Sequence, residues 1–179
     1  MTPREMSHEQ YALFFDVRRS IRYHDRRRAF FEHLHQITGG LTVLLAGSVL
    51  FDISRPGDNP AWLLMIAAIA AALSAWDMIV GYSSKAGLHR DLKARFGELE
   101  MAILSGNDMP ETWQAHRLVR LRIEQDEPPI YRALDLLCHN ELLRADGFRE
   151  DADAAHFAGV GAWQRTTRHI FHWADLKTA

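Results

Sequence analysis

The chain has 179 residues, a formal net charge of −2 and a pI near 6.5. That bounds it to about one domain and excludes bulk charge attraction to nucleic acid. A single cysteine, Cys138, excludes an internal disulfide and with it an exported, disulfide-stapled fold.

The apolar residues are concentrated between Gln36 and Tyr82, which the slightly negative mean hydropathy conceals. Residues 1–35 read as an N-terminal cytoplasmic amphipathic helix. Phe14, Val17, Ile21, His24, Arg28 and Phe31 fall on one helical stripe that is polar in its middle. No cleavable signal is expected, because the first apolar run starts only at Gln36, behind an arginine cluster.

Residues 36–54 form the first predicted transmembrane helix. The run QITGGLTVLLAGSVLF carries no charge between His35 and Asp52. It spans roughly 24 Å, slightly short of a hydrocarbon core of about 30 Å. Residues 55–60 are a short extracytoplasmic loop rich in turn formers. Residues 61–83 form the second span, with Trp62, Trp76 and Tyr82 near its ends, where aromatic belts belong. The two spans are therefore expected to pair as a tight antiparallel hairpin. Arginines and lysines flank its open end, Arg18 to Arg28 before it and Lys85 to Arg95 after it, while the loop holds only Arg55. The positive-inside rule then places both termini in the cytoplasm, and the lipid bilayer becomes the first partner.

Residues 84–105 continue as a cytoplasmic stalk helix with Leu88, Leu92, Phe96, Leu99 and Ile103 on one face. Residues 108–179 read as C-terminal cytoplasmic helices. Asp108-Met-Pro-Glu111 looks like a helix start that buries Trp113, Leu118 and Leu121. After Pro128 and Pro129, Ile130–Arg144 reads as a helix with Ile130, Leu134, Leu137 and Cys138 inward. A last helix, about Asp153 to Leu176, sets Val160, Trp163, Thr167, Ile170 and Ala174 on one side. The expected fold is all-α: a two-helix transmembrane hairpin, helical stalks and a small C-terminal helical region.

Asp77 lies about one turn inside the cytoplasmic end of the second span, level with His35 and Thr38. An intramembrane acid marks a functional or paired residue, or one that reaches the interface. Ala67, Ala71 and Ala75 have small-xxx-small spacing, which permits close helix approach and suits a homo-oligomer. Thr42, Ser48 and Ser74 are mid-span hydroxyls that either line a pore or bond back to their own helix. Arg22, Arg26, Arg27 and Arg28 suit anionic lipid head groups or a phosphate ligand, or serve as a topology signal. His169 with His172, and Asp135 with His139 and Glu141, complete no metal-ligand or catalytic pattern. No enzyme activity, cofactor or metal is expected.

The order RSIRYHDRRRAFFEHLHQIT, two close spans and SSKAGLHRDLKARFGELE resembles the SLATT family of bacterial two-span membrane proteins over roughly residues 10 to 145. The resemblance implies an inner-membrane effector of bacterial defence that forms pores when triggered. The chain carries no nucleotidyltransferase and no Rossmann-like sensor, so a trigger, whether a regulatory protein or a nucleotide ligand, would act on the cytoplasmic helices or through a separate partner. The alternative is a membrane-anchored scaffold whose cytoplasmic helices recruit a partner without pore activity.

Overall fold

The computed structural model describes residues 5–53, 61–106 and 109–176, and within the first helix the side chains up to Leu50. The expected loop at 55–60 and the expected helix cap Asp108 lie outside the described residues. The described residues are all-α: α1 (His8–Ile53), α2 (Ala61–Val80), α3 (Tyr82–Ser105), α4 (Pro110–Glu124), α5 (Arg132–Ala145), a 3₁₀ turn at Ala154–His156, and α6 (Ala162–Thr167). They fall into two compact units. One joins the chain up to Arg27 with everything from His89 onward, and the other is Arg28–Leu88.

Ser7 and Gln10 start α1 with a reciprocal capping box. The Ser7 N–H donates to Gln10 Oε1 at 2.7 Å, and the Gln10 N–H donates to Ser7 Oγ at 3.3 Å. From there α1 runs unbroken for 46 residues, so the expected division at residue 35 is no break in the backbone. Between α2 and α3 the break falls at Gly81, which adopts φ +65°, a conformation that favours glycine. The Gly81 N–H still donates to the Asp77 carbonyl at 2.9 Å, and the Lys85 N–H to the Gly81 carbonyl at 3.0 Å. The helical ladder thus bends there without ending. Among the described residues, the segment Ala61–Ser105 is long and apolar enough to cross a membrane, and only 11% of its most apolar stretch is buried.

In the unit of Arg28–Leu88, a heptad seam runs through more buried positions of α1 and α2. On α1 it takes in Phe31, Thr38, Thr42, Leu45 and Val49, with Leu34 half-buried beside it; on α2 it takes in Leu63, Ile66, Ala70, Leu73, Asp77 and Val80. Alternating steps of three and four residues keep one seam facing a partner helix. Phe31 stacks on Tyr82 (6.4 Å between centroids), and Asp77 meets His35 and Thr38. Later residues on one helix meet earlier ones on the other, so at this end the two run antiparallel.

The other unit is held by a core of Leu13, Phe14 and Val17 from α1, Leu92, Phe96, Leu99 and Ile103 from α3, and Trp113 and Ile123 from α4. The stripes read on both stalks therefore meet. Alpha-helix α5 adds Leu134, Leu142 and Cys138, all fully buried. It ends in a Schellman motif: Gly147 takes φ +94°, its N–H donates to the Arg144 carbonyl, and the Phe148 N–H donates to the Leu143 carbonyl. Phe148 packs on the Leu143 cluster, the apolar contact that goes with this cap.

Several expectations are corrected here. The N-cap of α4 is Met109, in extended conformation with no side-chain cap bond. Leu118, Leu121 and Ile130 are exposed, because α4 turns Trp113, His116 and Ile123 inward and α5 starts only at Arg132. The predicted last helix is reduced to the short α6, with Trp163 and Ile170 exposed and Ala174 also outside. Toward its end the Trp173 backbone takes φ +48° and the His172 carbonyl accepts the Arg132 N–H; at its start the reason is a non-helical contact. The Asn140 amide donates to the Ala158 carbonyl at 2.8 Å, and its oxygen accepts the Ala158 N–H at 2.9 Å. An amide that claims both backbone groups of Ala158 leaves neither for a helical ladder.

Candidate functional site

Two polar constellations stand out, one in each unit. In the unit of Arg28–Leu88, the His35 Nδ1–H donates to Asp77 Oδ2 at 3.0 Å. The Thr38 hydroxyl lies 3.2 Å from Asp77 Oδ1 and 2.9 Å from the Leu34 carbonyl, so its one proton is shared between them. The carboxylate is thus paired across the helix seam, as a charge in an apolar segment requires. The heptad spacing that sets Asp77 on the seam of α2 is what brings it to Thr38 on the seam of α1.

The other candidates in this unit separate onto different faces. Thr42 lies on the seam, where its hydroxyl donates to the Thr38 carbonyl at 2.9 Å. Ser48 donates to the Leu45 carbonyl at 2.8 Å and lies on the outer face. Both hydroxyls thus bond within their own helix. Ala67 is half-buried beside the seam, while Ala71, Ser74 and Ala75 are exposed on α2. The alanine of α2 that packs most closely is Ala70, one position off the small-residue row read from sequence. Around Gly39, Gly40 and Gly47 there is open space rather than close helix approach among the described residues.

In the other unit the arginine run is largely engaged by protein groups. Arg27 is 4% exposed. It donates to the His169 carbonyl at 2.8 Å, and its guanidinium lies 4.0 Å from the Tyr131 ring centroid. It is a packing residue rather than a lipid contact. Arg26 pairs with Glu141, and Arg22 is half-buried. Arg28, which belongs to the unit of Arg28–Leu88, pairs with Glu32 at 3.5 Å. The acids considered for catalysis are likewise occupied. Asp135 meets Arg19 at 3.1 Å, Glu141 meets Arg26, and His139 Nε2 donates to the His156 carbonyl at 3.1 Å. Among the described residues no group of three or more His, Cys, Asp or Glu side chains is placed to hold a metal.

The second constellation went unread in the sequence as a site. His24 and His89 are 1% and 2% exposed, and their Nδ1 atoms are 2.9 Å apart. His24 Nε2 donates to Glu127 Oε1 at 3.0 Å. His24 also stacks on Phe96 (5.6 Å between centroids), and the Tyr23 ring meets both imidazoles edge-on. Burial, then His24 and Arg27, push the His89 pKa down to about 3, so this ring is neutral at ordinary pH. The Tyr23 hydroxyl accepts the Tyr131 N–H at 3.0 Å, and burial pushes its pKa up to about 12. The only sequence signal was the polar gap at His24 in an otherwise apolar stripe. Its partners lie on other elements, at no fixed spacing from it.

Fold and sites together define an all-α protein that carries a helix able to cross a membrane and a separate helical unit with a buried histidine pair. Comparison of the chain with protein-family models, curated proteins and solved structures returns no match.

Proposed function

We propose that the chain is an oligomeric two-span membrane protein of channel-like or pore-forming activity, with both termini in the cytoplasm of a bacterial cell. The observation that carries this reading is the division of α2 into two faces. Its seam face packs Leu63 and Ala70, while the small residues Ala71, Ser74 and Ala75 face outward. Small residues that the chain leaves unused internally let a second copy approach closely. The paired Asp77 supplies a polar point at one end of the same helix. The resemblance to SLATT effectors agrees with this reading and adds a role in bacterial defence.

The test is ion or dye flux through liposomes that hold the purified chain, with oligomer size determined in the same preparation. Flux from a defined oligomer, changed by Ala71→Trp or Ser74→Lys, is the expected result. Wild-type flux in both variants refutes a pore lined or packed by this face.

A second reading is a membrane-anchored interaction module with no pore. It is favoured by the independent core of the helical unit, built on α1, α3 and α4. A stable oligomer without flux under any nucleotide or voltage supports that reading and ends the first.

A further inference from the structure

The buried histidine pair joins α1 to α3 inside one unit, and its protonation is restricted by geometry. With Nδ1 atoms 2.9 Å apart, one ring donates and the other accepts. His24 Nε2 must carry a proton to donate to Glu127. Two arrangements meet these demands. In one, both rings are neutral and the His89 Nδ1–H donates to His24. In the other, His24 holds one extra proton as an imidazolium, balanced by the Glu127 carboxylate, and donates to a neutral His89. A further proton on His89 Nδ1 sets two N–H groups and two positive rings against each other, with no acceptor between them. The hydrogen bond is lost, and the site is too buried for water to replace it.

We propose that the His24–His89 pair is a proton-binding latch, which fastens α3 to α1 at neutral pH and releases it when acid supplies one proton more than the closed pair can hold.

The surroundings set the direction. From α1, Arg27 adds a positive charge and Tyr23 covers both rings. From the connector before α5, Glu127 supplies a negative partner in contact with His24. Asp135 on α5 acts on Tyr23 from further away. On α3 itself, the Lys93 ammonium is held by Asp25 of α1 at 2.7 Å. A second cationic ring thus meets Arg27 and His24⁺ with Glu127 already committed. Once α3 separates, His89 regains the ordinary affinity of a hydrated imidazole, so acid drives opening. Leu88, expected at the head of the α3 stripe, is exposed, and the buried stripe begins at Leu92, three residues beyond His89 on the same face. Release would therefore start at one end of the apolar core that α1 and α3 share in this unit. The inference stands on the helical unit alone and does not require that the membrane segment conduct ions.

Hydrogen exchange of the full chain in detergent, corrected for the intrinsic pH dependence of exchange, reads the latch directly. Between pH 6.5 and 5.0, amide protection around His24 and His89 should fall about 15-fold, the response to a proton taken up on opening by an imidazole whose hydrated pKa is about 6.5. Protection in α5 should fall far less. His89→Asn keeps a hydrogen-bonding group near the Nδ1 position but cannot be charged, and should abolish most of the response. If that variant does not fold, Glu127→Gln serves instead: without the carboxylate the closed pair holds its first proton poorly, and release should move to higher pH by about one unit. His169→Asn, remote in sequence and also a buried histidine, should keep the wild-type response. A wild-type chain with no local loss overturns the proposal. So does an undiminished loss in His89→Asn, an unshifted release in Glu127→Gln, or a response abolished by His169→Asn.

Discussion

Asp77 on α2 and His35 on α1 meet at 3.0 Å, in a stretch where the other seam residues nearby are apolar or hydroxyl-bearing. The pair forms because the seam of each helix repeats every seven residues, so the one acid of α2 faces its partner helix rather than the surroundings. Thr38 closes the same carboxylate from its other oxygen.

Removing the imidazole isolates this charge. His35→Ala should lower the thermal stability of the chain in detergent by about 1 kcal/mol, the usual worth of an interhelical hydrogen bond in such a setting. Asp77→Asn keeps an acceptor for only one of the two partners but leaves no isolated charge, and should cost less. Equal losses in the two variants would show that the contact does not depend on the paired charge.

Acid should weaken the helical unit. Burial, then neighbouring cations, hold His169 at about 4, as burial, His24 and Arg27 hold His89 at about 3. Both folded values lie below the unfolded value of about 6.5, so the unfolded chain takes up protons first as pH falls. The stability these groups contribute is full above that pH and declines below it, down to about 4 for His169 and about 3 for His89. Each ring adds at most about 1.4 kcal/mol per pH unit within its window. Chemical denaturation at pH 7.5, 6.0 and 5.0 measures the slope, and stability that rises on acidification would contradict the burial of both rings. His116, also pushed down by burial, acts in the same direction.

Asn140 fixes the segment after α5. Its amide satisfies both the N–H and the carbonyl of Ala158 in a buried setting. Asn140→Ala leaves those two groups without partners and should cost about 2 kcal/mol or more. Limited proteolysis should then cut the chain beyond residue 150 first, with α1 and α3 surviving longer. A cleavage pattern identical to wild type would assign the hold on this segment to other contacts, such as the Arg132 N–H on the His172 carbonyl at 3.1 Å.

Cys138 should be inert. It is fully buried, and burial pushes its thiol up to about 12, with Arg26 as the largest opposing influence. Thiolate is the reactive form, so labelling by a maleimide at pH 7.5 should be very slow in the native chain and rapid in denaturant. Mass spectrometry counts the adduct, and fast native labelling would mean that α5 opens readily.

The all-α class, the apolar segment of α2, the long helices through residues 8–53 and 82–105, and the core stripe from Leu92 to Ile103 were all legible in the sequence. Each is a local property: periodicity, length and the absence of charge act along one element, and no partner need be known. What only the tertiary structure decided is which polar groups meet. His24, His89 and Glu127 come from α1, α3 and the connector before α5, so no spacing announces them. Arg27 read, with its arginine neighbours, as a lipid or anion contact or a topology signal, yet Tyr131 and the His169 carbonyl draw it into the core. The last helix failed for the same reason. Its apolar spacing was real, but a buried amide on α5 offered the Ala158 backbone better partners than its own helix could.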